Sequence, residues 1–375
     1  MSGPLAGLIV ADFSRVLAGP YASMLLGDLG ADVIKVERPG TGDDTRAWGP
    51  PWRDGESTYY LSLNRNKRSV VLDLTDAGDR ALARTLGERA DVLIESFRPG
   101  LMASWGLDGD TLRAVNPRLV SCSVTAFGSG EAAAGMPGYD FLLQAMGGLM
   151  SVTGEPDGRP LKTGAAVVDL ICGLLATIGI QAALAGGGGR HVEVSLMDAA
   201  LASLLNQGSA WVAGGVVPSR RGNRHPSIVP YETYEASDRP FAVAAGNDRL
   251  FARLCEAVGL PELAVDPRFA TNEARVAHVE ELAAAVNAVF RTEPADHWVA
   301  RLRAAAVPVG PINAVDEAFA LAADLGLEPT DDTQRVPLIT PPLRLDGERP
   351  EIRYPPPTLD EHGDEIRRWL GFPSS

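Results

Sequence analysis

Asp169 stands where a carboxylate is out of place, with Ala165 to Val168 before it and Leu170 to Cys172 after it. Burying an unpaired carboxylate is costly, so this residue needs a partner or a task. Two readings follow from its place near the start of a helical stretch. It can cap the helix N-terminus. It can instead face a cleft from the first turn, where the helix dipole favours the ionised form by about 0.3–1 kcal/mol. An ionised, partly desolvated carboxylate can attack an activated carbonyl and form a covalent intermediate.

A second group of polar residues is arginine-rich. Arg38 in KVERPG (35–40) and Arg98 in ESFRPG (95–100) each precede Pro-Gly, turn chemistry that carries a chain off a strand end. GDDTR (42–46), NRNKRS (64–69) and PGYD (137–140) are polar strings of the same kind. Guanidinium forks grip phosphate bidentately, so several of them at strand ends point to an anionic ligand. A surface ion pair is the plain alternative for each one.

Other chemistries are disfavoured by missing motifs. The chain has no GxxxxGK[ST] and no GxGxxG after its first strand, where SRVLAGPY stands instead, so a nicotinamide-dependent dehydrogenase is not expected. GxSxG, HExxH and an EF-hand loop are absent too. The five histidines show no metal spacing, DEHGDE (360–365) reads as a solvated acidic face, and no metal site is expected.

The elements that must position these residues alternate. Strand-like runs fall at 7–13, 32–38, 69–74, 91–97, 118–124 and 191–196, apolar without strict alternation, as in strands buried on both faces. Helical stretches fall at 19–31, at 75–90 with Thr75 or Asp76 as cap, and from Gly164 to Ala185. This rhythm predicts βαβ units and an α/β open parallel sheet. Gly, Pro and Arg crowd into 213–230, which reads as a linker. A hairpin about 237–240 and helices at about 248–259, 272–292 and 294–306 then form a small α+β unit. The expected division is a large domain over 1–212, a linker over 213–230, a small domain over 231–325, and a return to the large domain over 326–375.

Composition bounds the rest. At 375 residues two structural units are expected. The formal charge of −14 disfavours general binding to nucleic acid or anionic membrane. Residues 1–100 carry 12 basic and 14 acidic side chains, so most of the acidity lies elsewhere. Three dispersed cysteines form no disulfide or zinc pattern and suit a reducing cytosol. No signal peptide is expected, and the apolar run 170–185 reads as a buried core helix of a cytoplasmic protein.

Four strings carry a family likeness. SRVLAGPYASMLLGDLGADVIKVERPGTGDDTR, NRNKRSVVLDL, PGYDFLLQAMGGLMSVTG and DPRFATNEARV resemble the class III CoA-transferase (CaiB/BaiF) family, which includes formyl-CoA:oxalate and carnitine CoA-transferases. The likeness runs from Gly7 to about Asp316. It implies a Rossmann-like large domain built from both chain ends, a small domain between them, and a homodimer of interlocked ring-shaped subunits. It also implies a reaction. Asp169 attacks a donor acyl-CoA thioester to give a mixed anhydride, the thiolate returns to give an aspartyl-CoA thioester, and CoA passes to an acceptor carboxylate. Coenzyme A and acyl-CoA are then substrates, and no cofactor is bound permanently.

By the same resemblance, Val16, Leu17 and Ala18 lie along CoA, Arg38 meets the nucleotide phosphates, and Leu72 with Asp73 lies near the adenine. Ser96, Phe97 and Arg98, with Pro137, Gly138 and Tyr139, border the pantetheine and thioester. Leu17 stands where the formyl-CoA transferase pattern has glutamine, which argues for a less polar or bulkier acyl group. Ser96 and Ser104 also depart from that pattern. Asn206, Arg221, Arg224 and His225 are candidate contacts for the acceptor carboxylate, with a linker turn or surface pairing as the plain alternative for each. Alpha-methylacyl-CoA racemases are related, but they carry GHD where Gly138-Tyr139-Asp140 stands here, and tyrosine is a poor base. A noncatalytic CoA-binding protein is the further alternative, against which Asp169 argues.

Overall fold

Six short strands rich in Val and Ile form one parallel sheet: β1 (Ile9–Phe13), β2 (Asp32–Glu37), β3 (Lys67–Val71), β4 (Val92–Glu95), β5 (Val120–Thr125) and β6 (His191–Ser195). The computed structural model describes residues 3–133 and 135–372. The spatial order is β3-β2-β1-β4-β5-β6. The order reverses between β1 and β4, and in open α/β sheets ligands bind beyond the carboxyl ends of the strands at such a point.

Both faces are covered, which is why the strands lack alternation. Helix α1 (Ala18–Asp28) and the long helix over Val167–Ala185 bury Ala22, Leu26, Cys172, Ala176 and Ile180 against Val10, Val33, Ile94 and Cys122. On the opposite face α2 (Ala77–Arg89) sets Leu82 and Leu86 on Ala11, Phe13, Ile34 and Leu93. The side chain of Asp76 caps α2 by accepting from the N–H groups of Gly78 and Asp79. The chain end returns to the edge strand. Val71 N–H donates to Asp360 Oδ1 (2.7 Å), and His362 N–H donates to Ser69 O (3.1 Å). That edge therefore has hydrogen-bonding partners.

The chain divides into two compact units. One comprises Met1–Met150, Lys162–Val217 and Glu328–Ser375 and contains the parallel sheet; the other comprises Ser151–Leu161 and Pro218–Leu327. In the second unit, β7 (Tyr231–Glu235), β8 (Pro240–Ala244) and β9 (Val309–Pro311) form an antiparallel sheet with β8 central. Phe290 sits edge-on to Phe241, Trp298 and Tyr234 at 4.9, 5.2 and 5.3 Å between centroids, a geometry aromatic quadrupoles favour.

Three local expectations shift. The helix expected over 272–292 is broken at His278 into Asn272–Ala277 and Val279–Phe290. The helix expected from Gly164 begins at Val167. The third strand begins at Lys67, two residues early, because a charged residue there is buried within an ion pair.

Candidate active site

The turn after β1 builds one wall of the site. Val16 has φ +71°, an uncommon conformation for a β-branched residue. Its neighbours hold it there: Arg15 N–H donates to Ser96 Oγ at 2.9 Å, and Val16 N–H points to Asp43 Oδ1 at 3.4 Å. Burial pushes the Asp43 carboxyl up, but Lys35 at 2.8 Å and the Thr45 hydrogen bonds outweigh it and hold it at about 2. A permanently charged acceptor thus underlies the turn.

Beneath the turn lies a buried ionic layer. Asp12, Lys35 and Lys67 are fully buried on three adjacent strands. Lys67 Nζ donates to Asp12 Oδ2 (3.2 Å), Pro20 O (2.8 Å) and Asn64 Oδ1 (3.0 Å). Glu37 accepts two bonds from Arg46 (2.7 and 2.8 Å) and one from Ser69 (2.7 Å).

Asp169 enters from the helix over Val167–Ala185, which lies beyond α3 (Asp140–Met146) in the chain and is called α4 here. It is only 7% exposed, and its carboxylate has no hydrogen-bond partner among the described residues. Gly173, one turn further along, brings this face onto α1, since a Cβ there would lie 2.7 Å from Ala18 O. The capping reading of Asp169 does not hold. Ala166 occupies the cap position, and Asp140 reaches across to accept from Val168 N–H (2.9 Å) and Asp169 N–H (3.2 Å) through Oδ1. Gln144 Nε2 donates to the other Asp140 oxygen (2.6 Å), and Thr163 N–H donates to Gln144 Oε1 (2.9 Å).

This arrangement also reverses the expected electrostatics. Burial, and then the like charge of Asp140, push the Asp169 carboxyl up to about 7. The dipole effect expected from the sequence is smaller, and Asp140 already answers two of the N–H groups that carry it. Burial and the charges of Asp169, Asp140 and Asp43 raise Tyr59 to about 12, so it remains a neutral phenol.

Two cavities at the carboxyl ends of the strands collect the residues singled out from the sequence. The larger, about 450 Å³, is lined by Asp169 together with Val16, Leu17, Ala18, Ser96, Phe97, Arg98, Pro137, Gly138 and Tyr139. Gly138 allows the close approach of its segment to the sheet end, because a Cβ would lie 2.6 Å from that of Ala126. The smaller, about 180 Å³, is lined by Arg38, Leu72 and Asp73. Arg15 and Phe97 line both.

Several of these side chains are already engaged. Ser96 Oγ accepts from Arg15, and Asp73 Oδ1 accepts from the N–H and hydroxyl of Thr75 (2.9 and 2.6 Å). Arg38 is paired with Asp44 and donates to Thr41 Oγ1 (2.7 Å). Arg98 is exposed, and its side chain makes no hydrogen bond or ion pair among the described residues. Asn206 is exposed and lies outside these two cavities. In the second unit, Arg224 is paired with Glu232 (3.1 Å) and Glu280 (2.5 Å), His225 Nδ1 accepts from Ser227 N–H (3.1 Å), and Arg221 is exposed.

The helix α4 is long and apolar enough to cross a membrane by length and composition. Val168, Cys172, Ala176, Ile180 and Ala183 are nonetheless buried in the core of the first unit. Among the described residues no group of His, Cys, Asp and Glu is placed to hold a metal ion.

Known proteins resemble this chain along its length. The chain is 43% identical over 386 residues to succinate–glutarate CoA-transferase of Agrobacterium fabrum, covering 97% of this chain and 94% of that protein. It is 41% identical over 379 residues to acetyl-CoA:oxalate CoA-transferase of Acetobacter aceti, covering 100% and 97%. The crystal structure of a CaiB/BaiF family protein from Brucella suis superposes with a TM-score of 0.88 at 42% identity, covering 99% of this chain and 100% of that one. The profile of CoA-transferase family III matches residues 5–363, and the chain belongs to that family, as an enzyme of the class III CoA-transferase type.

Proposed function

We propose that this enzyme moves CoA from an acyl-CoA donor to a free carboxylic acid through covalent intermediates on Asp169. The observation that carries the reading is an unpartnered, 7% exposed carboxylate opening into a cavity at the sheet's switch point. Its oxygen attacks the thioester carbonyl carbon, the C–S bond breaks, and CoA leaves as thiolate. The thiolate then attacks the aspartyl carbonyl of the mixed anhydride and releases the donor acid, leaving an aspartyl-CoA thioester. The acceptor carboxylate attacks that carbonyl, and the released thiolate takes the acceptor acyl group, which restores Asp169. The thioester is exchanged without net hydrolysis, so no external energy source enters the balance.

The dicarboxylates named for the two relatives above make succinyl-CoA with glutarate or oxalate the first pairs to assay. Leu17, Phe127, Met136 and Leu196 give the larger cavity apolar walls, which suits an acyl chain longer than formyl. CoA lies along Val16 to Ala18, with its phosphates toward Arg38 and its adenine toward Leu72 and Asp73. The enzyme works as a cytoplasmic homodimer with interlocked subunits. The exposed apolar residues Leu201, Leu205, Trp211, Val212, Val216 and Val217 supply surface that a second copy would cover. A matrix of donor thioesters against acceptor acids, read by mass spectrometry, tests the reading. Deuterium uptake at the α-carbon of a 2-methylacyl-CoA without acceptor acid, in place of transfer, replaces it with a racemase.

The reactive form of the nucleophile is the carboxylate, so protonation removes it. With the Asp169 carboxyl at about 7, kcat/KM for the donor falls about tenfold per pH unit below 7 and levels off above. Asp140→Asn keeps an oxygen for the two helix N–H groups and removes the opposing charge. Its acidic limb moves to lower pH. Because burial is the larger cause, the limb stays above the ordinary carboxylate range. A pH–rate series on both proteins checks this, and an unmoved limb in Asp140→Asn refutes the coupling.

A further inference from the structure

One carboxylate holds two arginines where the two cavities meet. Asp44 Oδ2 accepts from Arg15 Nη1 at 3.3 Å, and its Oδ1 accepts from Arg38 Nη2. Arg15 lines both cavities, its guanidinium lies 5.6 Å from the Phe97 ring centroid, and its Nε is buried without a hydrogen-bond partner. The three side chains are partly open to solvent, 40% for Arg15, 47% for Arg38 and 29% for Asp44. Two positive charges therefore face one negative charge, with donor capacity left over, beside an open cavity. This contrasts with the ionic layer below, where Asp12, Lys35 and Lys67 are fully buried.

We propose that Asp44 is a built-in anion surrogate that occupies the Arg15–Arg38 pair until the phosphate groups of a CoA thioester displace it, and that Arg15 is a phosphate contact in its own right. The proposal rests on the CoA-transferase reading above and adds a selectivity device to it. The enzyme must use free carboxylic acids as acceptors while keeping them out of the nucleotide-phosphate subsite. An intramolecular carboxylate competes with another carboxylate on equal terms, at a high effective concentration. A phosphate group offers more charge and more acceptor oxygens to the guanidinium forks, so it wins where a free acid does not. The cost is a weaker apparent affinity, because only the fraction of molecules with Asp44 displaced is competent to bind.

The test is calorimetric and independent of turnover. ADP, which lacks pantetheine, is titrated into wild type, Asp44→Asn and Asp44→Glu, with thermal unfolding as the folding control. Two partly exposed ion pairs are lost, so ADP binds Asp44→Asn about threefold to thirtyfold more tightly. Asp44→Glu returns affinity toward wild type. Glutarate at millimolar concentration displaces ADP from Asp44→Asn but not from wild type. Arg15→Gln weakens ADP binding without the loss of the pantetheine contribution, read as an unchanged ratio of CoA to ADP affinity. Unchanged or weaker ADP binding by Asp44→Asn overturns the surrogate, since Asp44 would then only align the arginines. Failure of wild type to bind CoA at all overturns the CoA-transferase reading instead, so the two failures are distinguishable.

Discussion

On the proposed mechanism, Asp169→Ala and Asp169→Asn lose at least about three orders of magnitude in transferase kcat, because removing a covalent nucleophile removes the pathway and not merely one contact. Wild type incubated with acyl-CoA and hydroxylamine acquires a hydroxamate at Asp169, which peptide mass spectrometry locates; the variants acquire none. Full activity in Asp169→Ala, or an adduct on another residue, sinks the mechanism. A stability measurement separates lost chemistry from lost structure. The folded carboxyl stands at about 7, above its ordinary 3.8, so the folded state keeps a proton that the unfolded state gives up between those values. The stability associated with that proton is present at low pH and is lost as pH rises through about 7. Asp169→Asn has no such proton, so at pH 8 it is at least as stable as wild type while inactive. A carboxyl kept at the expense of stability is the expected signature of a functional site.

The sheet was legible because local composition decides it. IVADF, DVIKVE and VSCSVT are apolar on both faces, and a strand between two helical layers has no polar face to show. Asp169 was legible for the opposite reason, as a charge with no local justification. The residues that tune it were not. Asp140 lies 29 positions before Asp169, and its contact with the start of α4 depends on how α3 packs, which no periodicity reports. The same holds for Arg15 and Asp44, whose pairing joins the ends of separate strands. GDDTR stood out as a polar string, but nothing local separates Asp43, which anchors the turn beneath Val16, from Asp44, which faces the cavity. The chain has three lysines against 31 arginines. Of Lys35, Lys67 and Lys162, two are fully buried in the sheet of a chain that otherwise uses arginine.

Lys67→Met is destabilising by about 3–5 kcal/mol, the usual cost of leaving one member of a buried ion pair without its partner. The substitution preserves length and apolar volume, so the loss is electrostatic. Asp12 would keep its hydrogen bonds from Ser14 and Ser23 (2.5 Å from the latter) and the more distant field of Lys35, and would lose the ammonium at 3.2 Å. Pro20 O and Asn64 Oδ1 would lose a donor as well. Urea unfolding of Lys67→Met, Asp12→Asn and the double variant separates these terms. The double variant is more stable than Lys67→Met alone, because neutralising Asp12 removes the charge left stranded. Additive losses would show that the pair is not coupled. The position of the layer explains why a costly arrangement suits this sheet. Asp12 on β1 lies opposite Lys35 on β2, and Lys35 lies opposite Ser69 on β3. A slip of one residue would turn each of these side chains to the other face. Between strands whose apolar residues would pack in either register, a fixed charge pairing selects one. That register sets the depth of the turn at Val16, and so the wall that faces Asp169.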